Sequence, residues 1–421
     1  MRKISIAALA GLAAAAALSA APPAFTTLYS FTNTGDGTYP GPPVIGPGGV
    51  LYGTTSSTVY SVTPPSQPGG SWTEQTLYTF QGGDTDGSGP SGKLVQSTGP
   101  QGQLLLYGVT EYGGPGNGGI VYSLTAPASP NGPWTEEVLY FFNVQNVRSN
   151  PDGQNPETIL MGAGGVLYGI TYAGGSVGCH EDYGCGTIFS LTPPAAPGGA
   201  WTESVLCSTE GNGTPNSFVM GADGVLYGTA QSNGILSTAC DFGQSGPCGT
   251  VFSLAPPQSP GGDWTLTVIF SFDGATGFIP YSLAVGAEGV LYGSTFDNVY
   301  SLAPPELPGG AWTQTVLADF KVTRFSGASP IAITPGAGGV IYGATADGGQ
   351  YQCGSLFALA PPTSPGAAWT LKTLISVNPA DQGVQVTGFV IGAGPHPTWY
   401  GATGGGEIAV NQWGTIFEFQ P

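Results

Sequence analysis

Basic residues are scarce in this chain of 421: Lys and Arg number 7 against 25 Asp and Glu, and there are 2 histidines. The formal net charge of −18 repels phosphate backbones and anionic lipid, so neither nucleic acid nor a membrane surface is an expected partner. Apolar runs long enough to span a bilayer are also missing. The longest, Ile4 to Leu18, falls short of the ~20 apolar residues that a spanning helix needs. It follows Met1-Arg2-Lys3 and precedes the small residues Ser19, Ala20 and Ala21, which is the order of a secretory signal peptide. Residues 1–21 are therefore expected to be removed, leaving 22–421 as a single acidic domain outside the cytoplasm, extracellular or periplasmic, with no membrane insertion. Loss of Arg2 and Lys3 moves the formal charge from −18 to about −20.

Several catalytic signatures are absent. There is no Gly-x-Ser-x-Gly turn to expose a nucleophilic serine, and the Gly-rich stretch from Gly113 to Gly119 lacks the Lys and following helix of a phosphate loop. Asp84-Thr85-Asp86-Gly87-Ser88 begins like a calcium loop, but the twelfth position is Val95 rather than a bidentate Glu. No cofactor is expected, and calcium is only weakly signalled. Cysteine is sparse but informative. Cys179 and Cys185 bracket one short segment and Cys240 and Cys248 another, so these two local disulfides are expected, with Cys207 and Cys353 free.

What the chain has in abundance is glycine (72) and proline (38), placed at regular intervals between short β-type runs. A triplet recurs seven times: Leu51-Tyr52-Gly53, Leu106-Tyr107-Gly108, Leu167-Tyr168-Gly169, Leu226-Tyr227-Gly228, Leu291-Tyr292-Gly293, Ile341-Tyr342-Gly343 and Trp399-Tyr400-Gly401. A period of 50 to 65 residues is the mark of a repeat architecture. Repeat four resolves into runs beginning at Phe218, Gly224, Thr250 and Trp264, each of strand length and bounded by Gly, Pro or Asn. Four antiparallel strands per repeat make one propeller blade.

A Trp-Thr pair opens the fourth strand at Trp72, Trp134, Trp201, Trp264, Trp312 and Trp369, but the last repeat stops before its own. Phe25 to Phe31 resembles the missing strand. The expected fold is all-β, a seven-bladed β-propeller with four-stranded blades, closed by an N-terminal strand added to the C-terminal blade.

Segments such as Gly224-Val225-Leu226-Tyr227-Gly228-Thr229 and Gly184-Cys185-Gly186-Thr187-Ile188-Phe189-Ser190-Leu191 resemble the secreted bacterial tandem-repeat proteins called GloVer-containing, whose members differ in a C-terminal anchor. The resemblance spans the mature chain and implies a secreted or surface protein, without supplying an activity. No hydrophobic tail, basic cluster or sorting motif precedes Gln420-Pro421, so no anchor is expected.

In such blades the loops joining second to third strands share a face with the interblade connections, and here they vary most in length. Function gathers in variable loops on a rigid scaffold. The long loops of repeats three and four therefore define the expected ligand surface: His180, Glu181, Asp182, Tyr183, Asp241 and Phe242, with Arg148 and Asp152 on the neighbouring connection. Tyr112, Tyr172 and Trp413 are further stacking candidates. Asp36, Asp86, Asp152, Asn212 and Asp273 each precede Gly, a turn-forming pair in its own right. The expected function is non-enzymatic binding of an extracellular carbohydrate or protein by a monomer. The alternatives are a carbohydrate-active hydrolase or lyase using carboxylates on that face, and a cell-surface or matrix scaffold.

Overall fold

A computed structural model describes residues 24–421 apart from 130–131, 145–149, 176–183, 197, 210–212, 232, 242–243, 260, 308, 321–328, 365, 381, 395–396 and 406–412. The expected signal peptide and Cys179 lie outside the described residues.

Seven four-stranded antiparallel sheets account for the repeats. Blade 1 runs Val44–Ile45, Leu51–Thr54, Thr58–Thr63 and Thr73–Thr79, and the pattern continues to blade 7, built on Val384–Ile391, Trp399–Gly404 and Thr415–Gln420. The strand Ala24–Ser30 pairs antiparallel with Thr415–Gln420, Phe25 opposite Phe419, and supplies the fourth strand of blade 7. The first and last strands of the described chain thus complete one sheet, and the outer edge of Thr415–Gln420 is covered.

The triplet explains itself in the packing. In every blade its glycine lies directly opposite an aromatic residue of the third strand: Gly53 and Tyr60, Gly108 and Tyr122, Gly169 and Phe189, Gly228 and Phe252, Gly293 and Tyr300, Gly343 and Phe357, Gly401 and Phe417. The aromatic ring folds back over the glycine, where any Cβ would collide with it. The next ring outward comes from the preceding blade. Phe31, Phe80, Phe142, Phe272 and Phe320 contact Tyr60, Tyr122, Phe189, Tyr300 and Phe357 at 4.9 to 5.2 Å between centroids.

The triplet tyrosine points to the next blade. Tyr52, Tyr107, Tyr168 and Tyr227 meet Trp134, Trp201, Trp264 and Trp312 edge-on at 5.9 to 6.0 Å, and Tyr400 meets Trp72 at 6.0 Å, so the interlock carries across the closure. Aromatic pairs of this geometry add about 0.5–1.5 kcal/mol each beyond the area they bury. Blade 7 takes its outer strand from the N-terminus and has no Trp-Thr pair. Trp399, fully buried, substitutes: Tyr342 packs on it at 4.7 Å and Phe389 stacks on it at 5.1 Å. This accounts for the single Trp-Tyr-Gly among the triplets. Phe25 stacks on Phe417 at 4.5 Å, filling the place of a preceding-blade ring.

Candidate functional site

The long segment of repeat four is more ordered than a loop: Leu236–Asp241 and Gln244–Pro247 form a separate two-stranded hairpin. The Cys240–Cys248 disulfide ties it to the start of the third strand, with Cα atoms 5.0 Å apart. Cys185 is also disulfide-bonded, whereas Cys207 and Cys353 stay out of disulfides as thiols that donate to the Ser208 and Tyr351 carbonyls. Of the residues expected to bind, His180, Glu181, Asp182, Tyr183, Phe242 and Arg148 lie outside the described residues, and Asp241 is placed by its backbone at the end of the hairpin strand.

Asp152 has a structural partner. It accepts a hydrogen bond from the Tyr140 hydroxyl at 3.0 Å, bridging the outer strand of blade 2 to blade 3. The other turn aspartates behave alike. Asp36 accepts from the Tyr29 hydroxyl and from the N–H groups of Thr32 and Thr34, and Asp273 accepts from the N–H groups of Ala275 and Thr276. These carboxylates hold turns and blade interfaces. No group of three metal-ligating side chains occurs among the described residues. Trp413 is half-buried against the core of blades 7 and 1.

The structure instead forms a cleft one blade earlier, between blades 2 and 3. It encloses 460 Å³ and is lined by Glu111, Tyr112, Asn155, Glu157, Tyr172 and Ala173. Two second strands supply its aromatic walls: Tyr112 lies near the end of Leu104–Gly113 and Tyr172 near the end of Leu167–Ala173, and the two are 46% and 49% exposed. Large aromatic side chains left this open on a rigid edge are not core and are available for stacking.

The polar groups come from the start of the first strand of blade 3, Gln154–Met161. Asn155 adopts φ of 56° immediately before Pro156, a backbone state that is disfavoured before proline and costs about 1–3 kcal/mol. Two bonds hold it there: its N–H donates to the Gly118 carbonyl at 2.8 Å and its side-chain amide to the Glu111 carbonyl at 2.8 Å. Two residues on, burial pushes the Glu157 carboxyl up to about 7, with the nearby Glu111 carboxylate adding to the shift. The Tyr112 phenol is raised by Glu111 first and burial second. The cleft therefore offers two open rings, one carboxyl that holds its proton near neutrality, one carboxylate and one amide, enough to stack and hydrogen-bond a polar ring compound.

Tyr112 and Tyr172 stand out in the sequence as exposed aromatics, but Glu111, Asn155 and Glu157 do not. A signal for Glu157 exists once the blades are aligned by register. The residue after the one paired with the third position beyond the triplet tyrosine is Ser91, Asn216, Ile331 or Thr387 in blades 2, 4, 6 and 7, so blade 3 alone among these places a carboxyl there.

The architecture defines a closed seven-bladed β-propeller whose described cleft opens where the blade 2 and blade 3 strands meet. Within that class, the chain belongs to the Gloeobacter/Verrucomicrobia repeat family, whose model matches residues 56–302 and 230–421. No curated protein sequence matches it. Among solved structures, it is similar to virginiamycin B lyase from Staphylococcus aureus, at 16% identity over 95% of this chain and 99% of that one with a TM-score of 0.53. A streptogramin B lyase is similar at 14% identity over 94% and 97%, TM-score 0.52. The extracellular domain of a hybrid two-component system from B. thetaiotaomicron matches at 12% identity and TM-score 0.55, over 95% of this chain and 42% of that one. At such identities the likeness concerns the fold.

Proposed function

We propose that the protein is an extracellular binding propeller that takes a carbohydrate in the cleft between blades 2 and 3. The carrying observation is the pairing of Tyr112 and Tyr172, both open to solvent, around Glu111, Asn155 and Glu157. Sugar rings present an apolar face to aromatic rings and an edge of hydroxyls to carboxylates and amides, the combination that this cleft supplies. Calorimetric titration of neutral and acidic oligosaccharides into the mature chain is expected to show binding that Tyr172→Ala weakens at least tenfold. Binding unaffected by both Tyr112→Ala and Tyr172→Ala would overturn the assignment. The disulfide Cys240–Cys248 supports placement in an oxidising compartment.

A second reading has its own observation. Glu157 at about 7 beside a second carboxyl is poised as a general acid, and a carboxyl pair can serve glycoside cleavage. Reducing-end or unsaturated-product assays on polysaccharides discriminate: turnover lost in Glu157→Gln with binding retained supports a hydrolase or lyase, and binding with no product supports the propeller as a binder.

A further inference from the structure

Blade 2 departs by one residue from the blades whose first strands are paired over the same length. From the residue paired with the third position after the triplet tyrosine to the one paired with that tyrosine there are four steps in blade 3 (Pro156 to Leu160), blade 4 (Pro215 to Val219), blade 6 (Pro330 to Thr334) and blade 7 (Val386 to Val390). In blade 2, Pro90 to Val95, there are five, and the register breaks between Ser91 and Val95. The extra residue is absorbed at Gly92, whose φ of 65° suits glycine and whose Cα hydrogen faces the Glu157 carbonyl; a Cβ there would lie 3.1 Å from the Thr158 Cα. The Ser91 hydroxyl donates to the Pro156 carbonyl at 3.1 Å and pins the bulge to blade 3. Bulges re-aim side chains, and they gather beside functional sites.

The side chain that this bulge presents is Lys93. It is exposed to solvent, yet surrounding protein lowers its pKa by desolvation alone, and no carboxylate among the described residues forms an ion pair with it. It opens into a second cleft of 300 Å³ whose lining includes Tyr39, Thr54, Ser56, Ser91, Lys93 and Glu111. Glu111 also lines the tyrosine cleft, so the two adjoin at this residue. An ammonium held on a bulge without an ion pair among the described residues, in a chain of net charge −18, leaves a favourable interaction open to an incoming anion. Its ammonium is complementary to a free carboxylate arriving with the ligand, with the Thr54 hydroxyl lining the same cleft.

We infer that the Lys93 cleft is an anion subsite that receives the carboxylate of an acidic saccharide, a uronic acid, whose neighbouring ring stacks between Tyr112 and Tyr172. The inference rests on the saccharide reading above and narrows its ligand class.

The test compares a galacturonate oligosaccharide with the neutral galactose oligosaccharide of equal length, titrated calorimetrically against the mature protein and against Lys93→Met, Lys93→Arg and Tyr172→Ala. The acidic oligomer is expected to bind at least tenfold more tightly than the neutral one. Lys93→Met is expected to abolish that preference while leaving neutral binding unchanged, and Lys93→Arg to retain most of it. Equal binding of the two oligomers, or a preference that survives Lys93→Met, overturns the anion subsite while Tyr172-dependent binding leaves the saccharide reading standing. Binding of neither oligomer overturns both.

Discussion

Replacing Gly228 by alanine sets two physical effects of opposite sign against each other. Gly228 has an ordinary extended backbone inside the strand Leu226–Ala230, with no positive φ, so on chain entropy alone alanine stabilises by about 0.5–1 kcal/mol. Packing opposes this. The added Cβ would fall against the Phe252 ring, 2.8 Å from both Cε1 and Cε2 with Cζ closer still, where ordinary contact begins near 3.4 Å. Phe252 is 1% exposed and enclosed by Ile170, Phe218 and Leu254, so the ring has no free space to enter. Overpacking a filled core costs about 1–3 kcal/mol, and a shift of this size against a rigid ring belongs at the upper end. The expected net is therefore a destabilisation of about 1–2 kcal/mol, after subtracting the entropic gain.

Equilibrium urea denaturation followed by tryptophan fluorescence measures it, with Gly404→Ala as the matched control. Gly404 also has no positive φ, and the nearest atom to an added Cβ would lie 3.5 Å away, so only the entropic effect applies there. Phe252→Leu removes the collision, and the double variant is expected to be more stable than the sum of the single effects by at least ~1 kcal/mol. Gly228→Ala as stable as the control, or strict additivity with Phe252→Leu, would refute the role given to the triplet glycine.

Stability should depend on pH with an unusual sign. Glu136 and Glu203 are each pushed up to about 7, by burial first and then by Asp86 and Asp152 respectively, so the folded chain holds protons that the unfolded chain releases near pH 4.5. Their contribution is fully present below pH 4.5 and is lost as pH rises through 7. The shift corresponds to about 3 kcal/mol per group before screening, and to about 1 kcal/mol for side chains that are only half-buried. Denaturation midpoints are expected to be higher at pH 5 than at pH 8, with the difference reduced in Glu136→Gln/Glu203→Gln; a flat profile contradicts this. Removing the Cys240–Cys248 bridge with paired alanines frees a short loop, for which chain entropy assigns about 2.5 kcal/mol. Faster proteolysis between 236 and 247 is the expected readout, and unchanged cleavage counts against it. Deleting residues 22–31 takes the outer strand from blade 7 and uncovers Phe417, which Phe25 stacks upon. Such a variant is expected to aggregate in size-exclusion chromatography, and a monomer with an unchanged melting temperature would contradict closure by that strand.

Much of this molecule is legible in its sequence because each blade is a local unit. The triplet glycine and the third-strand aromatic that covers it lie 7 residues apart in Gly53 and Tyr60 and 24 apart in Gly228 and Phe252, always within one repeat. Seven such units, and an orphan strand at the N-terminus, are enough to specify a closed ring without knowledge of any contact. The turn role of Asp36 and Asp273 is equally local, since their hydrogen bonds reach residues only a few positions away.

The cleft is not legible in the same way. Its walls come from residues 111, 112, 155, 157 and 172, which only the packing of blade 2 on blade 3 brings together, and the Glu157 carboxyl owes its raised pKa to burial, a property of its surroundings. Lys93 stands between the two cases. The extra residue in Pro90-Ser91-Gly92-Lys93-Leu94-Val95 can be counted in the sequence, but strand register is needed to locate the count. Local alternation and repeated glycines determine the scaffold by themselves because short-range sterics act within each repeat. Where the candidate ligand-binding groups converge is decided by contacts between repeats, and only the tertiary structure contains those.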